Sequence, residues 1–214
     1  MNSFYIILVF LLASHQSILS AAPMSFKGSV TTMATASKNY SSIESSYVMT
    51  PKYAVGLKAY ESKGNGYKLK AKGMFHLRKL MRINAINSQT NLWLYTDVGR
   101  INVKNSLKED NHSYLSPTLQ FDYETKRLFG LVSHQILRVG HENFDTTKIE
   151  GGFSFYETGY NETQPWIILK AKNTNSILNK IEYISTLRLI NKAVFMDAGM
   201  TNDGDPSFHI MYTF

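Results

Sequence analysis

Asp205-Pro206-Ser207-Phe208-His209-Ile210-Met211-Tyr212-Thr213-Phe214 is the stretch whose reading decides the fold. Phe208, Ile210, Tyr212 and Phe214 fall at every second position, with Ser207, His209, Met211 and Thr213 between them. Successive side chains of a strand point to opposite faces, so the pattern is one large apolar and aromatic face backed by a smaller, more polar one. Chain ends in water usually fray, which leaves a terminal aromatic ring with little to do in a soluble domain. A strand that closes a sheet inside lipid gives that ring a place.

The period of two recurs upstream. Tyr67, Leu69, Ala71, Phe75 and Leu77 share one face of a strand, and Lys68, Lys70, Lys72, His76 and Arg78 share the other. A helix would scatter those cations around its cylinder. Further alternating segments are read at about residues 26–36, 40–49, 53–61, 91–103, 113–123, 127–139, 146–157, 165–172, 180–191 and 192–200, with residues 80–90 as a longer connection. Such spacing suits antiparallel hairpins. Twelve strands of about ten residues leave about six per connection, whereas eight would leave about fifteen. The expectation is an all-β chain: a closed antiparallel up-and-down transmembrane β-barrel of about twelve strands, with ten or eight as alternatives. An even count puts both ends on one side, with tight turns at residues 50–52, 124–126 and 191–192, and the more polar connections at 63–66, 105–111, 173–179 and 201–206 opposite.

The other end of the sequence concerns export. Residues 4–13 are an uncharged apolar run, and ten residues of helix rise only about 15 Å, half a hydrocarbon core. They are read as the apolar part of a signal peptide spanning residues 1–21, cleaved after Ala21, which leaves residues 22–214 as the barrel. The absence of Cys excludes disulfides, thiolate metal sites and a Cys nucleophile.

The terminal aromatic residue, the aromatic two positions before it and the alternating apolar residues preceding them resemble the C-terminal signature of bacterial outer-membrane β-barrel proteins. As a pattern of export signal, amphipathic strands and final strand, the chain is similar to the small porin-like barrels of Gram-negative bacteria, a group with many uncharacterised members. The resemblance implies residence in the cell outer membrane. It also implies contact with outer-membrane lipid and lipopolysaccharide, and recognition of Phe208, Ile210, Tyr212 and Phe214 by the barrel assembly machinery.

A barrel satisfies every backbone N–H and C=O without water, and it then needs apolar side chains outside. On that assignment Val55, Leu57, Leu69, Phe75, Leu77, Leu115, Phe121, Ile149, Leu169, Leu187 and Phe208 meet lipid. Glu44, Lys58, Asp97, Asp122, Glu150, Glu182, Arg188, Asp197 and His209 would lie in the lumen together with the stripe Lys68, Lys70, Lys72, His76 and Arg78. Enclosed charges pair with one another; a basic stripe would also favour anions. The resulting reading is a narrow passive channel or membrane scaffold, not an enzyme, with no cofactor, no metal and no nucleic-acid partner. Two rivals are a barrel enzyme acting on lipid, for which His134 beside Ser133 is the nearest arrangement, and a soluble exported barrel that binds an apolar ligand inside.

Overall fold

The computed structural model describes residues 24–159 and 161–214; the expected signal peptide over residues 1–21 lies outside the described residues. Its strands are β1 Val30–Ser37, β2 Tyr40–Thr50, β3 Tyr53–Gly64, β4 Tyr67–Asn84, β5 Ser88–Lys104, β6 Glu109–Thr125 and β7 Leu128–Gln135. After the short pair β8 Arg138–Val139 and β9 Glu142–Asn143 come β10 Thr146–Ser154, β11 Gln164–Thr174, β12 Glu182–Asn191, β13 Val194–Thr201 and β14 Pro206–Thr213. Leaving aside β8 and β9, every strand pairs antiparallel with its neighbours in sequence, and β1 pairs with β14 to give a closed barrel of twelve strands.

Turn chemistry sets the hairpins. Asn65 and Gly66 both take positive φ between β3 and β4, as a two-residue turn that follows the strand twist requires. Lys192 does the same between β12 and β13, which fixes Asn191 opposite Val194 and, three residues on, Arg188 opposite Asp197. Residues 80–90, expected as a longer connection, instead continue β4 to Asn84 and turn tightly over residues 85–87. A bulge between Lys79 and Met81 interrupts the alternation there, and this hides the strand from a reading by period.

At the seam, Val30 N donates to Phe214 O at 2.8 Å and Phe214 N donates to Val30 O at 2.9 Å. The rim carrying these two residues is called the lower rim here. Carried around the wall, the successive strand registers return to β1 about 14 residues higher, which implies strands tilted by about 40°. The outside carries an apolar belt in which Leu57, Leu115 and Leu169 are 64%, 61% and 62% exposed. Tyr53, Tyr123, Tyr212 and Phe214 lie outward along its lower edge, the position of an interfacial aromatic girdle. At the upper rim Lys38, in the β1–β2 turn, reaches Asp205 at 2.9 Å, and this hydrogen bond raises the Lys38 pKa.

Candidate functional site

The inner face of the barrel carries the chemistry. Its side chains are the alternate residues of each strand, and they sort by height into an apolar floor, a charged chamber and an apolar roof.

The floor lies toward the lower rim. On one side Met24, Val48, Ala54, Phe75, Leu77 and Trp93 pack together, and on the other Trp166, Ile168, Ile190, Phe195 and Met211 do so. Buried Asp122 fixes the first group: Trp93 Nε1 and Asn91 Nδ2 each donate to it at 2.6 Å. Burying a carboxylate is costly unless such donors satisfy it.

Above the floor lies a cavity of about 370 Å³. One wall holds Lys58 on β3, with Nζ 3.5 Å from Glu44 of β2 and 3.4 Å from Asp97 of β5. The other is built around Arg188 of β12. Its guanidinium donates twice to Asp197 of β13, at 2.8 and 3.0 Å, and once to Glu150 of β10 at 3.2 Å. Lys170 binds Asp197 at 2.6 Å and Lys148 binds Glu150 at 3.1 Å. The flat cation also lies 4.3 Å from the Phe195 ring centroid and 4.9 Å from that of Phe129. Lys172 of β11 extends over the Tyr40 ring of β2, 4.6 Å from its centroid. Those strands stand nearly opposite in the barrel, so side chains meet across the lumen.

The roof comes from two loops. Leu137, Val139 and Phe144 from residues 136–145, and Ile177 from residues 175–181, are buried against Leu69, Ile101, Val103 and Tyr114 on the inner faces of β4–β6. Asn175 N donates to Asp145 O at 2.9 Å and stitches the loops together. The carbonyl of Ile177 sits where a Cβ on Gly64 would stand, so that residue must be glycine for the loop to seat.

Glu44, Lys58, Asp97, Glu150, Glu182, Arg188, Asp197 and His209 line the cavity, as the alternation implied. The basic stripe does not. Leu69 and Phe75 line the cavity, Ala71 and Leu77 are buried, and Lys68, Lys70, Lys72, His76 and Arg78 point outward. The polarity of β4 is therefore reversed from the expected lipid assignment. Its upper half rises past the apolar belt, where the roof covers its inner side and its outer side stands clear of the belt. Lower down, His76 stacks on Tyr53 at 5.7 Å and Arg78 lies over the same ring at 5.5 Å. The roof loops and the Tyr40–Lys172 contact escaped the sequence reading. The strand read at about residues 127–139 ends at Gln135, and Leu137 and Val139 turn over the lumen with Phe144 instead of continuing the wall.

His134 faces outward with Nδ1 2.9 Å from Thr147 Oγ1, while neighbouring Ser133 turns into the lumen, so the two do not converge. Phe208, Ile210 and Tyr212 of β14, and Phe214 directly after it, all face outward.

The twelve-strand closure, apolar belt and polar lumen together decide the class. The chain has the fold of an outer-membrane porin. A solved KdgM porin aligns with 87% of this chain and 98% of its own, at 8% identity and a TM-score of 0.50. OccK11 (OpdR) of Pseudomonas aeruginosa aligns over 90% of this chain and 68% of its own, at 8% identity and a TM-score of 0.41. No family model and no curated protein matches the sequence. At these identities the likeness is one of fold.

Proposed function

We propose that the protein is a narrow passive channel of the outer membrane for small polar solutes, with its upper rim outward and its lumen roofed by the two loops. The observation that carries this reading is the sorting of the faces: an apolar belt outside and a charged cavity inside. A soluble barrel with an apolar ligand inside would need the reverse. Lys58, Lys148, Lys170, Lys172 and Arg188 face an equal number of acids, Glu44, Asp97, Glu150, Glu182 and Asp197, around the cavity. Selectivity between anions and cations is accordingly weak, and the anion preference expected of a basic stripe is not carried over.

Purified protein in planar bilayers tests the proposal. Small, nearly non-selective conductance steps are expected. Gly64→Phe drives a side chain into the space of the Ile177 carbonyl, unseats the roof and raises the conductance several-fold. If neither protein conducts, the barrel is a scaffold and the channel reading is wrong.

A further inference from the structure

The outer faces of β3–β6 carry rows of cross-strand partners that climb around the wall with the strand tilt, because the strands pair in unbroken register over this region. Leu57, Met74, Val98 and Leu115 form one row, all exposed and all apolar. Two residues higher comes Ala59, Lys72, Arg100 and Ser113. Met74 on β4 and Val98 on β5 are therefore the outward apolar side chains directly beneath Lys72 and Arg100.

These two cations are direct cross-strand partners, an arrangement that like charges disfavour. In the topmost row Lys68 and Lys104 also oppose one another, but each has an acid: Glu61 at 3.0 Å and Glu109 at 3.0 Å. Among the described residues Lys72 and Arg100 have no ion pair, and both are exposed. Ala59 leaves room on one side and the Ser113 hydroxyl offers a donor on the other.

We infer that Lys72 and Arg100 form a site for a phosphate group of an anionic glycolipid in the surrounding leaflet, with its acyl chains on the Leu57–Leu115 row below. A phosphate between the two cations relieves their repulsion and accepts the planar Arg fork. The exposed Met74 and Val98 side chains directly beneath the two cations favour a lipid over a free ion, since they offer its acyl chains an apolar surface. The inference rests on the membrane-spanning reading.

The test uses the full-length mature barrel refolded in detergent, with folding of each variant verified by its heat-modifiable gel mobility. Native mass spectrometry then measures retention of bis-phosphorylated lipid A, of dephosphorylated lipid A with the same acyl chains, and of inorganic phosphate. The expected result is preferential retention of the phosphorylated lipid, weakened about tenfold or more by Lys72→Gln with Arg100→Gln. Lys68→Gln with Lys104→Gln should leave it unchanged, and Lys72→Arg with Arg100→Lys should retain it. Equal retention of the dephosphorylated lipid, binding of inorganic phosphate to the same extent, or indifference to the double Gln variant would each overturn the site. Failure of the wild-type barrel to insert into lipid vesicles would count instead against the membrane reading beneath it.

Discussion

Replacing Arg188 by Met is expected to lower the stability of the folded barrel by about 3 kcal/mol, the low end of the cost of removing one partner from a buried ion network. Arg188 is 4% exposed and makes three hydrogen bonds to two acids that are themselves buried. Met fills much of the volume and keeps a contact with Phe129 and Phe195, so a void is not the main loss. What remains is Glu150 with Lys148 alone and Asp197 with Lys170 alone, each short of a donor. Those surviving pairs hold the effect at the low end. Arg188→Lys keeps the charge but cannot bridge both acids with a planar fork, so it should recover only part of the loss. Urea unfolding in lipid vesicles measures this directly. Trp166 serves as reporter, because it lies directly across from Arg188 on the neighbouring strand. An Arg188→Met midpoint that matches wild type would show that the network contributes nothing to closure.

The pairings in that network differ in how far they can be read from sequence. Arg188 opposite Asp197 follows from one two-residue turn at Lys192 and counting outward, so it was within reach of the hairpin reading. Arg188 with Glu150 skips a strand, and its distance depends on tilt and shear, which no local pattern encodes. Strand count and closure were legible because the turns are short and the period of two is strong. The stripe on β4 was legible as a stripe and illegible as to side. Alternation shows that two faces differ, and only the height of a strand relative to the belt says which face is wet. Lys72 is the case in point. Its own strand shows a cation at every second position, whereas its partner Arg100 appears only once β5 is laid in register beside it. The roof was hidden for a related reason. Leu137 and Val139 continue the alternation of the segment read at 127–139, although β7 ends at Gln135, and with Phe144 they pack on residues such as Leu69 and Ile101 that lie far away in sequence.

Phe214→Ala is expected to reduce the amount of folded barrel reaching the outer membrane several-fold while leaving the conductance of each assembled molecule unchanged. The Phe214 ring is 61% exposed, stacks beside Tyr212 at 5.6 Å and faces away from the lumen, so its loss leaves the lumen unaltered. Its backbone, however, makes the last two hydrogen bonds of the β1–β14 seam, with Val30. Alanine preserves both bonds, which separates the contribution of the ring from that of the closure. Until the seam forms, β1 and β14 are open edges whose unpaired N–H and C=O groups are costly in lipid. The expected loss follows if the ring anchors the final strand at the interface during that step. Phe153→Ala is the matched control. It also faces outward low on the wall, edge-on to Phe155 at 5.1 Å, but it sits on β10, away from the seam. Phe153 is 43% and Phe214 61% exposed, so an effect due to lipid contact alone would strike both, in rough proportion to those areas. Heat-modifiable bands in outer-membrane fractions give the yields. Equal yields for Phe214→Ala and Phe153→Ala would remove any special role of the final strand in assembly and leave it as one wall segment among twelve.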